Sequence, residues 1–382
     1  MTTELILISI LLFIMALTLY VNHRSERGYQ RLSVLNPSPQ PPPQTSWRGG
    51  GDAGGSPSVA VIIPARNEQD VIERVVRSVR ALADSNAILT VVDDGSTDDT
   101  ARLAREAGAA VITLRDGPPL GWTGKTNACH QAASRAEAEW LLFTDADTCH
   151  APDSLHRAVA YATAHSLDAL SLLLRQECQT LPEKLVLPLA YQHFFASLHP
   201  DRPALNGQYI LIRRAVYEAS GGFSAVRGQV MEDVALGEHL TTQGYRIALL
   251  NGHEAASVRM YRTFAALLEG MTKTTFATAR DQGRAGVLLA LPFFLGVWVL
   301  PIGGLGVLLN APLVTGLALL CVLLTALGLR AWLRRFGVRL VWWYALLNPA
   351  GVAILWGVGL VATYRAVFRR GVRWKGRVIG GA

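Results

Sequence analysis

Trp140-Leu141-Leu142-Phe143-Thr144-Asp145-Ala146-Asp147-Thr148 decides the fold class of this chain. The apolar run Trp140–Phe143 has the length and composition of a short buried strand. Asp145 and Asp147 follow, two residues apart. Alternation along an extended chain turns both carboxylates to one side. Two acidic groups so placed repel each other unless a cation lies between them. A hard divalent cation, Mg²⁺ or Mn²⁺, takes carboxylate oxygens together with substrate phosphate oxygens. The pair reads as a metal seat carrying a nucleotide diphosphate. The alternative is a solvated turn after a strand.

Upstream, the pattern alternates between strand and helix. Val59-Ala-Val-Ile-Ile63 is a buried-strand run stopped by Pro64, and Glu68–Leu82 carries apolar residues at helical spacing. Ile88–Val92 is the next strand, ending at Asp93-Asp94-Gly95. Ser96–Asp99 then supplies a helix start, with Gly108 as the stop. Ala109–Leu114 and Trp140–Thr144 are further strands, with a helix over Thr126–Arg135 between them. Repeated βαβ units require a largely parallel sheet with helices on both faces. Ligands of such sheets sit at the carboxyl ends of the strands, where Pro64–Glu68, Asp93–Gly95 and Asp145–Asp147 all fall. Farther on, the sequence predicts a helix over Ser154–His165 and strands over Leu170–Leu174, Tyr209–Arg213 and Tyr245–Leu250. Short and longer helices are expected over Arg214–Ser220 and Met231–Gln243. Glu183–Leu198 is helical and rich in large apolar groups, which suits either a core or a membrane surface.

The flanks belong to a membrane. With 382 residues, a net charge of +7 and 50% apolar residues, the chain has room for a catalytic domain and several spans. Leu5–Val21 is long enough to cross a bilayer; Glu4 and the missing small-residue cleavage site argue against a signal peptide. Arg24, Arg27 and Arg31 follow it, so by the positive-inside rule the next domain faces the cytosol. Asn36–Ser58 is a Pro-rich, then Gly-rich linker. Val287–Leu309 and Pro312–Leu329 are span-length runs. Val341–Tyr364 is apolar but interrupted by Asn348-Pro349-Ala350-Gly351, which reads as a broken re-entrant helix or a further span. Domain boundaries follow: anchor 1–22, linker 23–58, catalytic domain 59–284, membrane region 285–382. The basic residues cluster beside apolar runs, which suits anionic lipid and not nucleic acid. The four cysteines are scattered, and neither a disulfide framework nor a zinc site is indicated.

The ordered set Pro64-Ala-Arg-Asn-Glu68, Val91-Val-Asp-Asp-Gly-Ser-Thr-Asp98, Gly121-Trp-Thr-Gly-Lys125, Thr144-Asp-Ala-Asp147 and Glu232-Asp233 resembles inverting family 2 glycosyltransferases. The resemblance runs from about Val59 to Met271. It is nearest the membrane-anchored subset associated with carotenoids and hopanoids. It implies an α/β, GT-A fold: a Rossmann-like, mostly parallel sheet with helices on both faces, plus transmembrane helices. It implies a nucleotide-sugar site formed by Pro64, Ala65, Glu68, Asp93, Asp94, Lys125 and Asp145, with metal on Asp145 and Asp147. Asp233 is the implied general base, with Glu232 beside it. Gln208 lies on the acceptor side, and Arg259 and Arg262 are candidates for the diphosphate. The donor is expected to be a UDP-hexose and the acceptor a lipid, such as a carotenoid, hopanoid or polyprenyl lipid.

Each motif has a plainer reading. Asp-Gly-Ser is a common turn, and Lys125 suits an exposed surface. Glu232 and Asp233 suit the first turn of any helix. Val258-Arg259-Met260-Tyr261-Arg262 departs from the Gln-x-x-Arg-Trp motif of processive members. The missing tryptophan points to one or few transfers onto a small acceptor. Nucleotidyl transfer on a similar sheet and a non-catalytic membrane scaffold are the rival functions.

Overall fold

The computed structural model describes residues 2–35, 58–82, 87–197, 204–281, 295–335, 347–368 and 370–381. The chain divides into two compact units. One holds Leu32–Arg175 and Asp201–Arg259; the other holds Met1–Arg31, Gln176–Pro200 and Met260–Ala382.

The first unit is built on strands β1 (Val59–Ala65), β2 (Ala87–Asp93), β3 (Ala110–Thr113), β4 (Trp140–Thr144), β5 (Thr148–His150), β6 (Ala169–Leu173), β7 (Arg175–Gln176, where the first unit ends), β8 (Tyr209–Arg213), β9 (Ile247–Asn251) and β10 (Ala256–Val258). Seven of them form one sheet in the order β3-β2-β1-β4-β8-β6-β9. β1 runs parallel to β2 and β4, β2 to β3, and β6 to β9. Only β8 runs against its neighbours, β4 and β6. Ala60 and Ile62 of β1 join a core with Leu141, Phe143, Ile210 and Ile212. Ala128 and Ala132 of helix Gly124–Ala133, and Leu236 and Leu240 of helix Glu232–Thr242, complete it. Val61 and Ile63, pointing the other way, are just as buried. A strand covered on both sides is largely apolar, and β1 and β4 read that way for this reason.

The reversed β8 places the site. Its first residue, Tyr209, lies opposite Thr144, the last residue of β4. The segment Asn206-Gly207-Gln208 therefore arrives at the carboxyl end of β4, beside Asp145.

Several boundaries differ from the sequence reading. The helix expected from Glu68 starts at Ile72, because Val71 and Ile72 both donate to the Glu68 carbonyl in a tight turn. The next starts at Thr100, since the Ser96 N–H donates to Asp93 Oδ1 and closes a turn first. The third starts earlier than expected, at Gly124. Thr123 caps it, and Thr123 and Thr126 exchange side-chain and backbone hydrogen bonds. Lys125 is thus in a helical turn and not in the loop before it. The antiparallel pair β5–β10 was not anticipated.

The second unit is mostly helical. Helix Thr2–Gln30 runs on through the basic residues after Asn22, so the first part of the expected linker is helical. Helix Leu181–Ser197 belongs to this unit, with Gly28 approaching Phe195 so closely that a Cβ would lie 2.2 Å from its carbonyl oxygen. Gly351 approaches the Leu185 carbonyl in the same manner. Small residues at helix crossings let backbones meet, as in membrane bundles. Thr2–Gln30, Pro312–Ala331 and Asn348–Val367 are long and apolar enough to cross a membrane. Leu5, Ile6, Phe13, Leu313, Leu319 and Leu360 stand exposed on them, which suits lipid better than water.

The break expected at Asn348–Gly351 is a helix start: Asn348–Val367 is unbroken, with Pro349 in its first turn, where proline fits. Residues 341–346 lie outside the described residues, as do 36–57 of the linker and 287–294 of the next expected span. Of that span the structure describes helix Val299–Leu308. A hairpin, Arg370–Trp374 with Arg377–Gly381, forms in the basic tail.

Candidate active site

Two loops meet at the ends of β1 and β2. Ala65 lies in register with Asp93, and the Asp94 N–H donates to the Ala65 carbonyl at 2.8 Å. Arg66 Nη1 donates to the carbonyls of Asp94 at 2.6 Å and Gly95 at 2.9 Å. The Asn67 N–H donates to Ser96 Oγ, the Thr97 N–H to Asn67 Oδ1, and the Glu68 N–H to Thr100 Oγ1. Asn67 holds a left-handed conformation (φ 51°), which asparagine tolerates better than most residues. Pro64 and Ala65 end β1 and Asp93 ends β2, while Glu68 and Asp94 lie on the loops that follow. Asp93 Oδ1 is committed to the Ser96 N–H, and both aspartates are buried.

A charged cluster lies at the end of β4. Lys125 Nζ sits 2.7 Å from Asp145 Oδ1 and 3.0 Å from Glu232 Oε1. Asp233 Oδ2 accepts the Gly207 N–H at 2.7 Å, and its Oδ1 accepts the Val234 N–H at 2.9 Å. A Cβ at Gly207 would lie 2.9 Å from Lys125 Nζ and 3.1 Å from Asp233 Oδ2. Burial alone would lower the Lys125 pKa, but Asp145, Glu232 and Asp233 hold it well above the ordinary lysine value. Burial, then Glu232, push Asp233 above the usual carboxylate range, against the pull of Lys125 and the two N–H donors.

Under the Asp145–Asp147 turn lies a neutral polar layer. Thr148 Oγ1 donates to the Asp145 carbonyl at 2.8 Å, and Thr144 Oγ1 donates to the Gln208 carbonyl at 2.9 Å. His150 Nε2 lies 3.1 Å from Thr144 Oγ1 and 3.3 Å from Thr148 Oγ1. Burial pushes His150 down to about 4, so it is neutral at physiological pH. The turn is thereby fixed from below without charge. Among the described residues no cluster of three or more His, Cys, Asp or Glu forms a closed cage. Asp145 and Asp147 nevertheless offer the hard oxygens that Mg²⁺ or Mn²⁺ takes, with the rest left to phosphate and water. The residues fit such an ion.

Residues 60–220 match the profile of glycosyl transferase family 2. That stretch includes β1 to β4, both loops, Lys125 and the Asp145–Asp147 pair. The matched stretch is less than half of the chain.

4,4'-Diaponeurosporenoate glycosyltransferase of Staphylococcus aureus (strain USA300) is 28% identical over 229 residues, 56% of this chain. The counterpart from strain bovine RF122 / ET3-1 matches at the same identity. The match spans 60% of the length of these relatives. Among solved structures, mannosyltransferase PcManGT from Pyrobaculum calidifontis, in complex with GDP-Man and Mn²⁺, superimposes with a TM-score of 0.55 at 17% identity. It covers 96% of this chain and 99% of its own. The likeness is one of fold.

The remaining candidates separate. Gln208 is buried next to the end of β4, its N–H bonded to Asn206 Oδ1. The Arg259 N–H donates to the Asp147 carbonyl at 3.3 Å. Arg262 belongs to the helical unit, exposed just before helix Phe264–Asp281. Two contributors escaped the sequence reading. Arg66 stands inside the Pro64–Glu68 motif, and its basic charge next to Asp93-Asp94 was an available signal. Gly207 acts through its N–H and its missing side chain, which no composition rule reveals.

Proposed function

We propose that this protein is a metal-dependent, inverting glycosyltransferase. It moves a hexose from a nucleotide sugar, most simply UDP-linked, to a hydroxyl or carboxyl of a membrane lipid. The observation that carries this reading is the single ammonium of Lys125 touching both Asp145 and Glu232, with Asp233 adjacent. One side chain thus links the segment suited to diphosphate with the segment suited to the acceptor.

The loops Pro64–Glu68 and Asp93–Asp94 take the base and ribose of the donor. Asp145 and Asp147 hold the divalent cation, and when bound it offsets charge on the departing nucleoside diphosphate. Lys125 adds a second positive group to the diphosphate. Arg259 is a further contact for it, and Gln208 is a contact for the acceptor. Asp233 takes the proton of the acceptor oxygen as that oxygen attacks the anomeric carbon opposite the leaving group. Its raised pKa makes it a stronger base than an exposed carboxylate. Glu232 stays paired with Lys125 and tunes Asp233 by like charge.

The lipid acceptor, carotenoid-like above all, is supported by the S. aureus relatives' names and by the three helices suited to a membrane. Arginines after Asn22 and after Leu329 support a catalytic domain on the cytoplasmic side. The test uses membranes containing the protein, Mn²⁺ or Mg²⁺, a panel of radiolabelled nucleotide sugars and a lipid extract. Label entering the organic phase, lost on chelation and accompanied by free nucleoside diphosphate, is expected. Pyrophosphate as product would instead indicate nucleotidyl transfer.

A further inference from the structure

We propose that Lys125 is the resident cation of this site, competing with the divalent ion for Asp145. The ion is then held tightly only after a nucleoside diphosphate draws the ammonium away. The inference rests on the proposed reading of Asp145 and Asp147 as the metal pair.

Three carboxylates, Asp145, Glu232 and Asp233, gather here around one ammonium. Lys125 Nζ lies within hydrogen-bond distance of Asp145 Oδ1, at 2.7 Å. Its second partner, Glu232, is buried, so the ammonium is held from both sides. The absent side chain at Gly207 leaves just enough room for it. A divalent ion at Asp145 would face this charge at close range, and like charges so placed repel. Lysine also has the means to yield. Its charge is a point on a flexible stem, and a diphosphate offers it new oxygen partners. A diphosphate thus supplies ligands to the metal and an alternative partner to the lysine in one step. The device offsets part of the negative charge in the free protein and ties metal uptake to donor binding.

The test is Mn²⁺ binding to the full-length protein in detergent, read from the electron paramagnetic resonance signal of free Mn²⁺, with and without UDP. In the wild type UDP should tighten Mn²⁺ at least tenfold. Lys125→Met should bind Mn²⁺ without UDP at least tenfold more tightly than the wild type, and UDP should then add little. Lys125→Gln provides a second neutral variant, and Mn²⁺ should raise the melting temperature of either variant more than that of the wild type. Neutral variants that bind Mn²⁺ no more tightly than the wild type overturn the inference while leaving the metal pair in place. Equal Mn²⁺ binding with and without UDP in the wild type overturns it as well, without recourse to any variant. If Asp145→Asn binds Mn²⁺ as well as the wild type, the metal pair itself is misplaced and both readings fall.

Discussion

The two halves of the site are held together in different ways. At the ends of β1 and β2, the loops Pro64–Gln69 and Asp93–Thr100 are laced by backbone N–H groups, short polar side chains and one arginine bonded to carbonyls. Nearly all of those groups satisfy each other without a ligand. At the end of β4, Lys125, Asp145, Glu232 and Asp233 come from three separate segments and balance charge instead. The first half is a preformed socket. The second is an excess of negative charge that a ligand must reorganise. Binding should therefore depend most on the first, and turnover on the second.

Removing the base should break that division most severely. Asp233→Asn keeps the shape and leaves an oxygen for the Gly207 N–H, so folding should survive. Loss of a general base costs about 10²- to 10⁴-fold in rate. Steady-state kcat with circular dichroism as control checks it; a loss under about tenfold, well below that range, would place the base elsewhere.

Gly207→Ala attacks the same half by packing. The new methyl lies 2.9 Å from Lys125 Nζ and 3.1 Å from Asp233 Oδ2 and must push them apart. We expect about 1–3 kcal/mol of destabilisation by denaturant titration, as for other overpacked sites. The accompanying fall in kcat should exceed any change in donor KM.

Arg66→Ala tests the socket. Two bonds from a charged donor to the Asp94 and Gly95 carbonyls disappear, with 1–2 kcal/mol, roughly a tenfold rise in nucleotide-sugar KM, as the expected scale. kcat should hardly move. A matched fall in kcat would erase the distinction between the halves.

The smallest effect is in pH. Burial and Glu232 raise the folded-state pKa of Asp233 above its unfolded value. A base must be deprotonated, so kcat should fall on the acid side along a limb lying above the ordinary carboxylate range. Lys125 opposes the raise, so Lys125→Gln should move the limb to higher pH. Stability carries the opposite sign from an ion-paired aspartate: the folded state holds its proton longer, so Asp233 costs stability as pH rises through that interval. Asp233→Asn should gain on the wild type across it in denaturant titrations.

Much of the socket was legible in the chain because its causes are local. Parallel strands covered on both faces need unbroken apolar runs, which marked β1 and β4, and their polar ends fall at one sheet edge by topology alone. Tyr209–Arg213 and Arg214–Ser220 read correctly from the same apolar and breaker signals. The direction of β8 did not. It is set by pairing between Thr144 and Tyr209, 65 positions apart, and no periodicity encodes that. The strands Thr148–His150 and Ala256–Val258 are three residues each, too short for a pattern, yet His150 and Thr148 underlie the Asp145–Asp147 turn. Lys125 was singled out only through the Gly121–Lys125 motif. Its contact with Glu232 required the fold.

The central claim is a single displacement at this charged cluster, and the configuration of the product tests it most directly. With an α-linked UDP-hexose as donor, proton NMR of the purified glycolipid should show the large H1–H2 coupling of a β-linked glucose or galactose. An α-linked product would contradict the account, since it requires either two displacements or attack from the side of the leaving group.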